Sequence, residues 1–303
     1  MIVPDLLIVI VSLNNKAYLK PCLESLYQSR LHNQFSVVVV DNGSSDGSQA
    51  MLRENFPEVQ IIQNDYNAGL SRASNQGIKS MLARYILLLN DDTLVNGPSL
   101  DVMIDFLDAH PRAGGVGGQL LNPDGTVQSC YNKFSTLREE FLIASRLGEF
   151  FWDGYPSTVD DKEVKSVDWI TSACLMLRRS ALDQVGLLDE EYFIYGDEAD
   201  LQYRLTRSGW LIYYIPYAHT IHYGGRSMNR WSRRKMVYRG KLLFYQKNYG
   251  SLRTAVLRAM LGGLSLSKIL IWGVASVLPQ WRERGRKELN SNLDVIRLCC
   301  KLT

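Results

Sequence analysis

The chain has 303 residues, 46% hydrophobic and 21% charged. That is enough apolar material for one large α/β domain with an appendage, and it excludes a disordered or fibrous chain. The net charge of +3 hides a split: residues 1–225 carry 17 Lys and Arg against 28 Asp and Glu, and residues 226–303 carry 17 against 3.

Leu6–Leu13 is the first predicted strand. Asp5 precedes it, no basic segment stands before it, and Ser12-Leu13-Asn14-Asn15 cuts the apolar run short, so a core strand is expected and not a signal peptide. Ala17–Gln28 follows as a helix with Leu19, Leu23 and Leu26 at helical spacing, and Phe35–Val40 as a strand ending at Asp41. Then come Asp46–Asn55 (helix), Val59–Gln63 (strand), Leu70–Ala83 (helix), Tyr85–Leu89 (strand), Pro98–Ala109 (helix) and Gly114–Leu121 (strand). Alternation with unbroken Val, Ile and Leu in the strands predicts βαβ units, hence a Rossmann-like, mostly parallel sheet with helices on both faces. Asn122-Pro123-Asp124-Gly125 is a turn signal before Thr126–Cys130, and Lys133–Lys165 has aromatic residues without a clean period. Val167–Leu177 is predicted as strand, Glu198–Ser208 as helix, and Leu211–Ile215 as a strand stopped by Pro216. One domain is expected over residues 1–225 and a helical extension over 226–303. The five cysteines form no CxxC or CxxxC pair, which argues against a zinc site or a disulfide framework and for a reducing cytosol.

Ligands of open α/β sheets bind at the carboxyl ends of the strands. Leu87-Leu88-Leu89-Asn90-Asp91-Asp92-Thr93 puts two carboxylates and an amide at such an end. Hard oxygen donors suit Mg²⁺ or Mn²⁺, which would hold a diphosphate, although Asp91 and Asp92 could equally cap the helix near Pro98. Asp41, ahead of Asn42-Gly43-Ser44-Ser45-Asp46-Gly47, could accept from a base or ribose, although a turn and a helix cap also explain that segment. Asn64-Asp65-Tyr66-Asn67-Ala68-Gly69 forms a third polar tip, and convergence of three on one crevice exceeds what turn chemistry requires. Asp197 and Glu198 begin a predicted helix, where acids are ordinary first-turn residues.

Val11–Asn15, Asp41–Gly47, Asn67-Ala68-Gly69 followed by Asn75, Leu89–Asp92, Trp169–Ala173, Tyr195–Leu201 and His222–Ser227 together resemble the successive motifs of family 2 glycosyltransferases with the GT-A fold. The sub-pattern is similar to that of bacterial rhamnosyltransferases of cell-surface polysaccharide assembly. The resemblance implies an inverting, metal-dependent transfer of a sugar from a dTDP- or UDP-sugar, with dTDP-rhamnose as first choice. The acceptor would be a polyprenyl-diphosphate-linked saccharide or a growing glycan. It further implies that Asp41, Ser12 and Asn67 contact the nucleoside, Asn90 and Asp91 the ribose or phosphates, and Asp92 the metal. Asn90 departs from the first aspartate of the family's DxD. Asp197 and Glu198 match the family's acidic pair in inverted order, with Glu198 by position the base and Asp197 orienting the acceptor hydroxyl. The helix dipole acidifies a carboxylate there, so apolar neighbours would have to restore its basicity. His222 is implied as a metal or diphosphate ligand and Arg226 as a phosphate partner. Ser172 replaces a usual glycine, which narrows the sugar pocket.

Ala259–Leu278 is long enough to cross a bilayer, but Lys268 near its middle would cost roughly 2.5–3.5 kcal/mol. A helix lying in the membrane interface is therefore expected, with Trp272, Trp281 and the following arginines at the headgroups. The other explanation is a helix packed on the protein or on a second subunit, giving a homodimer. Nucleic acid does not account for the apolar stretch. The expected location is cytoplasmic, peripheral on the inner face of the plasma membrane. Two rival functions are a sugar nucleotidyltransferase, which lacks its basic Gly-rich N-terminal loop here, and a non-catalytic glycan- or lipid-binding protein on a transferase scaffold.

Overall fold

The computed structural model describes residues 4–29, 31–151, 162–224 and 230–300. Two compact units are present: Met1–Phe134, Thr158–Phe193 and Asp197–Gly224 form the first, and Ser135–Ser157, Ile194–Gly196 and Gly225–Thr303 the second.

The first unit begins with β1 (Leu6–Ser12), α1 (Lys16–Gln28), β2 (Phe35–Asp41), α2 (Ser48–Asn55), β3 (Gln60–Gln63), α3 (Leu70–Lys79) and β4 (Tyr85–Asn90). It continues with β5 (Thr93–Val95), α4 (Gly97–Ala109), β6 (Ala113–Leu121), β7 (Val127–Gln128) and β8 (Tyr131–Asn132). Helices α5 (Leu137–Ser145) and α6 (Leu147–Phe151) belong to the second unit. The first unit resumes with β9 (Lys165–Val167), β10 (Trp169–Ile170), β11 (Cys174–Arg178), α7 (Arg179–Val185), α8 (Asp197–Arg207) and β12 (Leu211–His222). The main sheet has the order β3-β2-β1-β4-β11-β6-β12-β5. Strands β1 to β4 are parallel, and their Val, Ile and Leu runs, largely buried, pack a continuous core. Antiparallel β11 joins β4 to β6, and β12 runs parallel to β6.

Two predicted elements differ. The strand expected over Val167–Leu177 is split into β9, β10 and β11. Asp168 turns out of the run to accept from the Phe134 amide at 2.7 Å, and β10 pairs with β8 in a separate ribbon. Pro216 does not end the last strand, because β12 passes through it to His222. Pairing with β6 shifts register between Ile215, opposite Gly118, and His219, opposite Gln119, so the proline sits in a bulge where no ladder donor is needed. The bulge leans on Gly118, where a Cβ would lie 2.1 Å from the Ala218 carbonyl oxygen. We expect Gly118→Ala to cost about 1–3 kcal/mol of stability in urea unfolding, because backbone and not a flexible side chain must move.

Burial pushes the thiols of Cys22 up to about 12 and those of Cys130 and Cys174 up to about 11, so these three remain neutral core residues.

In the second unit, α9 (Arg230–Asn248), α10 (Ser251–Ala275) and α11 (Arg282–Cys300) accompany α5 and α6. Part of the tail's positive charge is matched internally: Lys241 reaches fully buried Glu140 at 2.6 Å, and Arg234 reaches Glu288 at 2.8 Å. Lys268 does not point toward the outer apolar stripe of α10, because its ammonium donates to the Ala144 carbonyl, near the end of α5, at 2.6 Å. Buried Thr254, Leu257, Leu261 and Ser265 share its side of α10. Leu266, Leu270, Ile271, Val274 and Val277 are exposed at 57, 71, 64, 76 and 73%. By length and composition α10 could cross a bilayer. Arg284 sits over the rings of both Trp272 and Trp281, 5.3 and 5.5 Å from their centroids.

Candidate active site

Strand register assembles the site. Ser12 lies opposite Asp41 and Val11 opposite Asn90, so three strand ends present Ser12, Asp41 and Asn90 side by side. Asp41 is fully buried; Oδ1 accepts from the Ser44 amide at 3.2 Å and Oδ2 from the Gln49 amide group. Asn67, exposed, folds its Oδ1 onto the Gly69 amide at 3.0 Å. The side-chain oxygens of both residues are thus engaged with neighbouring amides of the chain.

Neither Asp91 nor Asp92 caps α4. Strand β5 intervenes, and the N-cap of the helix is Asn96, which makes no side-chain capping bond. Asp91 accepts from Asn15 Nδ2 at 2.8 Å. Burial pushes its carboxyl up to about 6, opposed by Ser12 and Asn15 and aided by the charge of Asp92. Asp92, also buried, faces His222: Oδ1 and Nε2 are 3.2 Å apart. The extension of β12 beyond its bulge delivers that histidine, pairing it with Thr93, and the next amide, Tyr223, donates to the Asp92 carbonyl at 2.9 Å.

Among the described residues no cluster of three His, Cys, Asp or Glu side chains could hold a metal alone. A magnesium-like ion, however, takes only one or two protein ligands and fills its remaining positions with phosphate and water. Two adjacent ligands about 2.1 Å from such an ion lie roughly 3.0 Å apart, and the separation of Asp92 Oδ1 from His222 Nε2 is close to that. The donor pair fits a divalent cation carried in with a diphosphate.

A narrow cleft opens next to this pair, lined by Val9, Val11, Leu70, Ser74, Leu88, Leu89, Asn90, Ser172, Leu188 and Asp197. Ser172 reaches it because the Asn90 amide donates to the Ala173 carbonyl at 3.1 Å, holding the head of β11 over the end of β4. Asp197 is 1% exposed and its Oδ1 has no hydrogen-bond partner, an acceptor facing a polar-rimmed cleft unsatisfied. Glu198, the next residue, is half-buried and is not among the lining side chains.

The segment leading to Asp197 is anchored on α3. Asn75 donates to the Leu188 carbonyl at 2.8 Å and accepts from the Leu188 amide at 3.1 Å, and Ser71 donates to the Tyr192 carbonyl at 2.7 Å. Leu70 donates its amide to the Phe193 carbonyl at 2.7 Å. That approach requires glycine at 69, where φ is +87° and a Cβ would lie 2.8 Å from Phe193.

The structure therefore brings Ser12, Asp41, Asn90, Asp91, Asp92 and His222 to one edge of the sheet, with Asp197 sharing the cleft of Asn90. Arg226 lies outside the described residues, as do Gly225 and Ser227 of its motif. Asn15, Asn75 and Gln128 received no role from the sequence. Asn15 and Asn75 are among the quoted motifs, and Gln128, whose amide oxygen is 2.6 Å from His222 Nδ1, carried no local signal.

Residues 7–186 match glycosyl transferase family 2. The chain belongs to that family. This glycosyltransferase is 31% identical over 212 residues to the N-acetylglucosaminyl-diphospho-decaprenol L-rhamnosyltransferase of Mycobacterium tuberculosis, covering 64% of the chain and 68% of that relative. Rhamnosyltransferase WbbL of Escherichia coli K12 is 25% identical over 235 residues, 71% of the chain and 82% of its own length. Among solved structures, the mannosyltransferase PcManGT of Pyrobaculum calidifontis, in complex with GDP-Man and Mn²⁺, superposes with a TM-score of 0.58 at 14% identity, covering 97% and 86% of the two chains. The glycosyltransferase thus has a GT-A-like fold with a C-terminal helical region.

Proposed function

We propose that this glycosyltransferase moves rhamnose from dTDP-rhamnose to a polyprenyl-diphosphate-linked saccharide, with inversion and with Mg²⁺ or Mn²⁺, at the cytoplasmic face of the membrane. The observation that carries the chemistry is the side-by-side placement of the Asp92–His222 pair and a cleft holding the unsatisfied carboxylate of Asp197. The names of the two rhamnosyltransferase relatives support the choice of sugar and the lipid-linked acceptor.

Asp92 and His222 would hold the cation, which when bound neutralises charge on the leaving diphosphate. Ser12, Asp41 and Asn67 frame the nucleoside, and Asn90 and Asp91 contact ribose or phosphate. In an inverting displacement the acceptor hydroxyl attacks opposite the leaving diphosphate and loses its proton. Position alone gives that proton to Glu198, whereas the cleft favours Asp197, and we assign the base role to Asp197. Arg226 is retained as a phosphate partner. In this reading residues 1–225 are the catalytic domain and residues 226–303 the membrane-associating extension.

Exposed Leu266, Leu270, Ile271 and Val274 form one charge-free stripe along α10, and exposed Val277 follows in the turn after it. With Lys268 tied to Ala144, the insertion cost expected from that lysine does not arise, and the stripe suits the acyl boundary of an interface. Leu270→Glu with Ile271→Glu is expected to weaken sedimentation with phosphatidylglycerol vesicles at least about tenfold, since each buried side chain contributes about 1.5–3 kcal/mol. Unchanged sedimentation would remove the membrane role from α10.

The function is tested by incubating the protein with a panel of nucleotide sugars, a polyprenyl-diphosphate N-acetylglucosamine acceptor and Mn²⁺, and measuring released nucleoside diphosphate. Release of dTDP from dTDP-rhamnose with formation of a disaccharide lipid is the expected result; turnover with a different donor only would reassign the sugar.

A further inference from the structure

The turn Asn122-Pro123-Asp124-Gly125, legible in the sequence but without a function, is the far end of a hydrogen-bond chain that reaches His222. Thr126 Oγ1 lies 2.6 Å from Asp124 Oδ1, Asn122 Nδ2 lies 3.0 Å from Thr126 Oγ1, and Gln128 Nε2 lies 3.1 Å from Asn122 Oδ1. Gln128 Oε1 lies 2.6 Å from His222 Nδ1, and His222 Nε2 lies 3.2 Å from Asp92 Oδ1.

The direction of every link follows from its first member. An ionised carboxylate only accepts, so the Thr126 hydroxyl donates to it and is left to accept. The hydroxyl and amide of Thr126 hold the Asp124 carboxyl below the usual carboxylate range, keeping it ionised. Asn122 must then turn its NH₂ toward Thr126 and its oxygen toward Gln128. That oxygen takes the NH₂ of Gln128, leaving Gln128 Oε1 to face the imidazole. An oxygen there accepts only from a protonated Nδ1; Nε2 then either donates to the Asp92 carboxylate, which can only accept, or, without a proton, presents its lone pair to a cation held with Asp92. Asn90 Nδ2, 3.3 Å from Nε2, is a donor and agrees with an Nε2 that carries no proton.

We propose that Gln128 is a positioning residue that fixes His222 as the Nδ1–H tautomer, and that the Asn122–Asp124–Thr126 turn sets the orientation of Gln128. The consequence for function rests on the reading of Asp92 and His222 as metal ligands. A histidine ligand whose other nitrogen donates to an oxygen has its ring orientation and basicity held, and losing such a partner typically costs 10–100-fold in metal affinity. Asp124 and Thr126 are exposed while Asn122 and Gln128 are partly buried, so water competes with the outer links and the effect should fade outward along the chain.

The test uses the full chain and two readouts. Ring ¹⁵N NMR of the metal-free protein, with His222 identified by its loss in His222→Gln, reports the tautomer directly. Titration with Mn²⁺ at saturating dTDP reports metal affinity. We expect the Nδ1–H form in the wild type and in Gln128→Glu, which keeps an acceptor oxygen. In Gln128→Leu we expect loss of that preference and a 10–100-fold weaker Mn²⁺ affinity, with a smaller loss in Thr126→Val. The Nε2–H form in the wild-type protein overturns the proposal whether or not any variant folds. So does a Gln128→Leu protein with affinity within twofold of wild type, or a Gln128→Glu protein as impaired as Gln128→Leu. If the wild type shows the Nδ1–H form but binds no Mn²⁺, the positioning role stands and the metal reading fails.

Discussion

Asp92→Ala is expected to lower kcat/KM for nucleoside diphosphate release at least about 10³-fold while leaving the fold intact. Removing one preorganised group that stabilises charge in a dry site costs about 10²–10³, and here the loss includes an anchor of the cation itself. Stability should move little or even rise. Asp92 is buried next to Asp91, whose carboxyl its charge helps push upward, so neutralising it relieves repulsion between like charges. A thermal melt separates the two effects. In the wild type, Mn²⁺ with dTDP should raise the midpoint through preferential binding to the native state, and EDTA should abolish that rise. Asp92→Ala should melt like the wild type in EDTA and show no rise. Activity of Asp92→Ala within tenfold of wild type would exclude Asp92 as the metal ligand.

The second large effect concerns the acidic pair. Asp197→Asn is expected to lower kcat by about 10²–10⁴, the range of a general base, with a smaller change in donor KM. Glu198→Gln should stay within about tenfold. Asn is nearly isosteric and still accepts a hydrogen bond, so a structural first-turn acid would tolerate the change at a cost of about 0.3–2 kcal/mol in stability from the lost helix-dipole contact, with no matching loss of kcat. The opposite pattern would return the base role to Glu198, as its place in the motif suggests. Comparable loss in both would point to a joint role.

The parallel half of the sheet was legible because β1, β2 and β4 are unbroken apolar runs separated by helical periods, and such runs can only be buried between layers. Their ends were legible for the same reason: a carboxylate or amide that stops an apolar run must stand at the rim. Asp41, Asn90, Asp91 and Asp92 were placed at or just past strand ends in this way, and the motif order pointed to Asp197, Glu198 and His222 as candidates. The fate of Pro216 was not legible, since the bulge it sits in packs against Gly118 on a neighbouring strand about a hundred residues away. The side of α10 taken by Lys268 was hidden too, because its partner is a carbonyl more than a hundred residues away.

The sequence by itself determined which residue types stand at each strand end and hence the family of chemistry, because local patterns of apolar and polar residues decide what is buried and what faces the rim. Only the tertiary structure decided which of those groups meet. It set His222 against Asp92, gave Asp197 rather than its neighbour to the cleft, and ran a chain of amides from a surface turn to an imidazole. Such meetings depend on strand register and on partners distant in the chain, which no local window of sequence contains.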